Sequence, residues 1–140
     1  SYALGTQFWC KNPVPENYTA SFGILLDMVG ARNATFHIEG YSKQYASYVV
    51  DKVWAAANHI GYSAYFLYAE SGYVTDDHVY PNRILNIPCI DIINTNPANE
   101  HSGFPNHWHT HGDNMDVIDR KTLEAAGQTL LEVLYGGSGT

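Results

Sequence analysis

The sequence predicts an α/β fold: a three-layer sandwich in which a mostly parallel, mixed sheet is flanked by helices. Three observations predict it. Residues 22–29 (FGILLDMV) and 87–93 (IPCIDII) are apolar runs of strand length, each broken by a single acid, as in strands buried on both faces. Residues 42–60 and 119–134 repeat apolar positions at helical spacing. Strand and helix patterns alternate along the chain, as they do where crossover helices join parallel strands.

The elements follow in order. Residues 11–19 (KNPVPENYT) hold two prolines and read as an irregular surface segment. The 22–29 run carries Asp27 near its end, and a buried carboxylate there costs several kcal/mol (roughly) unless a partner or metal meets it. In 42–60, Tyr45, Tyr48, Val49, Val53, Ala56, Ala57 and Ile60 form the apolar stripe. Ser42 is the expected N-cap and Gly61 the residue past the C-terminus. Residues 64–68 (AYFLY) read as a short strand and 77–85 as a short helix. The 87–93 strand carries Asp91. Residues 94–118 form a long loop rich in Asn, Pro, Gly and His, of the kind that usually carries function. Asp119 caps a final helix with Leu123, Ala126, Leu130, Val133 and Leu134 on one face, and residues 136–140 (GGSGT) read as a flexible tail.

Composition excludes some roles. With 7 Lys and Arg against 14 Asp and Glu, the net charge of −7 argues against a nucleic-acid partner. No apolar run reaches the roughly 18 residues of a membrane span. Cys10 and Cys89 fit no metal or redox spacing and read as free thiols, Cys89 buried. There is no Gly-rich phosphate loop, GxSxG elbow or HExxH pair.

Three groups are able to carry chemistry. His107, His109 and His111 occur in HWHTH, where an extended backbone places all three on one side. They are either imidazole ligands for zinc or polar loop residues. Asp76, Asp77 and His78 are either helix-capping groups or acids that hold and orient a proton. Asp27 is either a solvated strand end or a buried functional acid. Phe104 and Trp108 flank the histidines as packing groups or as a pocket wall.

Three segments together resemble one known family. GILLDMVGARNATF (23–36), VTDDHVYPNRILNIPCIDII (74–93) and GFPNHWHTHGDNMDVIDRKTL (103–123) stand in the order and rough spacing of the glutaminyl-peptide cyclotransferases, members of the zinc-dependent aminopeptidase superfamily. SYALGTQFW looks like the helix before the first motif. The resemblance implies that residues 1–135 are the C-terminal portion of such a domain. It implies that His109 is the C-terminal zinc ligand. Asp27 corresponds to a second-metal ligand in dinuclear aminopeptidases and to a proton-network acid in cyclases, and Asp76 to the partner acid in that network. Phe104, Trp108, Val74, Thr75 and Ile93 correspond to substrate-pocket positions, while His107 and His111 return to the loop reading. Asp91 stands where some cyclases carry a histidine.

The resemblance further implies that the other zinc ligands, an Asp and a Glu, and the catalytic Glu lie upstream of residue 1. The chain alone is then expected to bind zinc weakly, to catalyse little and to present an open sheet edge suited to association. In the complete enzyme one zinc is expected for a cyclase converting N-terminal Gln to pyroglutamate with loss of ammonia. Two zincs are expected for an aminopeptidase. DDH and the Trp before the ligand His favour the cyclase; a non-catalytic binding domain is the third alternative. The expected partner is a peptide N-terminus, and the expected location is periplasmic or secreted, by analogy with exported family members.

Overall fold

The computed structural model describes residues 2–136. Helix α1 spans Leu4–Lys11, and the strands are β1 (Gly23–Asp27), β2 (Phe36–Ile38), β3 (Phe66–Glu70) and β4 (Cys89–Ile93). Helix α2 (Gly40–His59) connects β2 to β3, and α3 (Arg120–Leu131) follows the long loop. Parallel β1 and β4 pair from Gly23 with Cys89 to Asp27 with Ile93. Parallel β2 and β3 form the second pair, and an antiparallel bridge from Phe36 to Asn94 links β2 to the end of β4. The class is therefore α/β with parallel strands flanked by helices. No helix among the described residues is long and apolar enough to cross a membrane.

The core explains the strand patterns. All five residues of β4 are buried, Asp91 included, because β1 lies beside it and α2 packs over it. Strand β1 is less covered: Leu26 is 41% exposed. Phe36 and Phe66 meet with ring centroids 5.0 Å apart, and Trp54 packs edge-on to Phe66 at 5.3 Å. The indole N–H of Trp54 donates to Leu67 O at 2.9 Å, so the largest buried ring keeps its polar atom satisfied.

Several expectations are corrected. Strand β2 was not foreseen, because three residues show no measurable alternation. Strand β3 lies two residues later than the apolar run suggests. Helix α2 begins at Gly40, capped by Glu39, whose carboxylate accepts from Tyr41 N and Ser42 N. Ser42 lies inside the helix instead. Gly61 does follow the helix at φ 96°, a conformation that favours glycine. The buried face of α2 is Ser42, Ala46, Val49, Val50, Val53, Trp54 and Ala57. Tyr45 and Tyr48 turn toward the surface, where the Tyr45 hydroxyl accepts from Arg83 Nε and the Tyr48 hydroxyl donates to Ser21 O. Residues 77–80 turn into a π-helical segment, Pro81–Leu85.

Asp119 caps α3 by accepting from Lys121 N, but the face buried is Thr122, Ala125, Ala126 and Thr129. Leu123 and Leu134 remain 46% and 56% exposed. The expected tail begins at Gly136, which closes a second π-helical segment, Glu132–Gly136; residues 137–140 lie outside the described residues. Cys10 and Cys89 are both buried and free.

Candidate active-site cleft

Parallel β1 and β4 end side by side, Asp27 opposite Ile93. In such sheets the carboxyl ends of strands open onto the ligand crevice. Immediately after Asp27 the backbone turns sharply at Met28, which adopts φ 54°. Asp27 therefore stands at a rim, half-buried, with its carboxylate toward a cleft of about 610 Å³. Residues 74–76 form a second side of this cleft, and the long loop forms the third.

That loop is not extended. Trp108 N donates to Pro105 O, and both the amide and the hydroxyl of Thr110 donate to His107 O, so HWHTH is wound into consecutive turns. His109 takes φ 56°, a left-handed conformation unusual for a residue with a side chain. Its ring stacks on Trp108 at 3.7 Å and 18°, and Trp108 in turn meets Phe104 at 4.9 Å. The winding separates the three histidines: His109 lines the cleft, while His107 and His111 do not. The one-sided HxHxH arrangement is thus corrected.

Asp27, Val74, Thr75, Asp76, Ile93, Phe104, Trp108 and His109 all line this single cleft, although they come from four separate stretches of chain. Tyr2, Met28, Tyr73, Ser102 and Asp113 line it too and were not singled out in sequence. Tyr73 had a local signal, standing beside Gly72 just before the pocket segment. Tyr2 had none, since its place depends on where α1 docks.

The floor is acidic. Asp76 is 3% exposed and Asp91 is fully buried. Asp76 Oδ1 accepts from Asp77 N at 2.7 Å. As ionised carboxylates, Asp76 Oδ2 and both Asp91 oxygens have no donor among the described residues. Asp76 lies close enough to both Asp27 and Asp91 to raise their proton affinity. Burial, aided by the hydrogen bond and charge of Asp76, pushes Asp27 up to about 6. Burial and the charge of Asp76 push Asp91 up to about 10. Near neutral pH, Asp91 therefore holds its proton in the folded chain and releases it in the unfolded chain. The unfolded state then binds fewer protons, and Asp91 costs stability progressively as pH rises. In urea melts, Asp91→Asn is expected to gain on the parent protein by more than about 1.4 kcal/mol between about pH 5 and about pH 8, the worth of one pKa unit. A gap independent of pH would mean that Asp91 ionises alike in both states.

One imidazole, His109, and three carboxylates, Asp27, Asp76 and Asp113, line the cleft. Zinc centres use three or four protein ligands. Among the described residues no cluster of three or more His, Cys, Asp or Glu side chains is arranged to hold an ion.

The sequence profile of peptidase family M28 matches residues 1–134. The chain belongs to peptidase family M28. Solved structures agree. This M28 chain is 57% identical to a Zn-dependent exopeptidase from Parabacteroides distasonis, at a TM-score of 0.92 over 94% of its own length and 45% of that chain. It is 53% identical to the glutaminyl cyclase of Tannerella forsythia, with a TM-score of 0.91 over 96% of its length and 46% of that chain. The Porphyromonas gingivalis glutaminyl cyclase is 51% identical, with a TM-score of 0.91 over 94% and 45%. The M28 chain thus spans a little under half the length of these relatives. No match is found among curated proteins. Of these three relatives the Parabacteroides distasonis exopeptidase is described as Zn-dependent, and this chain shares the α/β fold of all three.

Proposed function

We propose that this M28 chain forms the pocket wall and part of the proton-handling apparatus of a zinc-dependent glutaminyl-peptide cyclotransferase. The observation that carries the reading is the cleft itself. Two carboxyls, Asp27 and Asp76, lie within mutual reach on one side, and the contiguous rings of Phe104, Trp108 and His109 form another. In the reaction, the α-amine of an N-terminal glutamine attacks its own γ-carboxamide carbon. A ring C–N bond forms, the bond to the amide nitrogen breaks, and one proton passes from the amine to the departing ammonia. Carboxyls that share a proton suit that transfer, since one is ready to accept while its neighbour holds. The aromatic wall excludes water, which would otherwise attack the same carbon and give glutamate.

The His109 imidazole is proposed as one zinc ligand, with the remaining ligands outside this segment. The free edge of β1 is proposed to pair with further strands of the complete protein.

A second reading has support in the 57% identity to a Zn-dependent exopeptidase. There Asp27 binds a second zinc and the first residue of a peptide is released. A non-catalytic binding domain is the third. Mass spectrometry of a Gln-leading peptide, incubated with the complete gene product and zinc, separates them. Loss of ammonia supports the cyclase, loss of one residue the aminopeptidase, and an unchanged peptide the binding domain. Trp108→Ala is expected to raise KM about tenfold with little change in kcat, the worth of about 1.4 kcal/mol of lost ring contact. An unchanged KM in steady-state kinetics would remove Trp108 from the pocket.

A further inference from the structure

Behind the acidic floor runs a buried polar string that the reaction above does not use. Glu39 is fully buried, yet five donors converge on its carboxylate. Oε1 accepts from Tyr41 N at 2.8 Å and from Val74 N at 2.9 Å. Oε2 accepts from Ser42 N and Ser42 Oγ, each at 2.8 Å, and lies 2.8 Å from His78 Nε2. Burial alone would raise the Glu39 pKa, but the bonds from His78, Val74, Tyr41 and Ser42 outweigh it and hold the group below its ordinary value.

Capping a helix does not require this arrangement. Ser, Thr, Asp and Asn cap well with a short side chain and one or two backbone donors. The extra length of glutamate is spent on Val74 N and His78, neither of which belongs to α2. Val74 lines the cleft, and Asp76 follows two residues later. His78, 1% exposed, turns its other nitrogen toward Asp91 Oδ2 at 3.6 Å, where Nδ1 has no hydrogen-bond partner. Ser42 closes the circuit: its Oγ donates to Glu39 and accepts from Asp91 N at 2.9 Å. Gly40 N donates to Gly72 O at 3.2 Å, a second tie between the start of α2 and the segment leading to the wall.

We propose that Glu39 and His78 are positioning residues that clamp the 74–76 wall of the cleft to the start of α2 and to β4, and so set where Asp76 stands. The clamp acts on the wall through Val74 N and on the turn after Asp76 through His78. Neither side chain lines the cleft. Its catalytic consequence rests on the function proposed above; its structural consequence does not.

Glu39→Gln tests the clamp. The amide keeps the size of the side chain but replaces one accepting oxygen with a donating NH₂, which cannot satisfy the N–H groups facing it. Amide hydrogen exchange on the complete gene product is expected to speed up at least about tenfold at residues 73–77, while Ile90 and Ile92 in β4 keep their protection. If the cyclase reading holds, kcat/KM for the Gln-leading peptide falls about 10- to 100-fold, the cost of a small misplacement. Exchange that is unchanged at 73–77, or that rises equally across the sheet, would overturn the clamp. If Glu39→Gln does not fold, His78→Gln leaves the cap in place and is read by the same local-against-global criterion. A wild-type protein that releases no ammonia from the Gln-leading peptide overturns the cyclase proposal and leaves the exchange result to decide the clamp.

Discussion

Replacing His109 with alanine is expected to strip zinc from the complete gene product, while the same change at His107 or His111 leaves the metal in place. All three imidazoles fall within five residues, so their sequence neighbourhood is nearly the same. Their geometry is not. The turns anchored on His107 O twist the loop so that His109 alone among them lines the cleft, its ring held flat against Trp108 at 3.7 Å. A ring fixed by stacking loses little freedom on binding a metal, which favours ligation. Loss of a ligand should cost more than the roughly 10- to 100-fold in affinity that follows loss of a ligand's outer partner. Zinc content measured after dialysis against a weak chelator checks the prediction. Equal retention by the His109 and His107 variants would move the ligand role elsewhere.

Asp76→Asn is expected to lower kcat by about 10²- to 10⁴-fold with little change in KM, the range associated with a lost acid–base group. Asparagine has nearly the same shape, and its Oδ1 still accepts the 2.7 Å bond from Asp77 N. The local turn therefore survives. What changes is Oδ2, the oxygen with no donor unless a proton is shared with a neighbouring carboxyl. An amide in that place neither takes up nor releases the proton. Thermal melting separates the effect from unfolding, and a fall in kcat of less than about threefold would remove Asp76 from proton transfer.

The sequence was most informative where periodicity is strong. The apolar runs around Asp27 and Asp91 became β1 and β4, and the helical stripes became α2 and α3. The buried faces were less legible. Tyr45 and Tyr48 were placed inward because they are large and partly apolar, but their hydroxyls take partners at the surface. Leu123 and Leu134 remain half exposed while Thr122 and Thr129 are buried, because Thr122 Oγ1 donates to Ala31 O and smaller residues allow close packing there. Of the eight cleft residues, Val74, Thr75 and Ile93 were named only through resemblance to a family; Asp27, Asp76, Phe104, Trp108 and His109 stood out by residue type, but spacing alone left HWHTH and DDH open to ordinary readings. Glu39 escaped notice altogether. Glutamate is not among the favoured capping residues, and its Val74 and His78 partners are 35 and 39 positions away.

The order of the residues by itself determined the alternation of strand and helix, the acid set into each buried strand, and the motifs that mark the chain's family. Those features depend on neighbours a few positions apart, which a linear pattern records. The tertiary structure alone decided which histidine reaches the cleft, which carboxyls are crowded together and what braces the wall behind them. Each of those outcomes depends on groups distant in sequence meeting at hydrogen-bonding range, and local spacing holds no information about that distance.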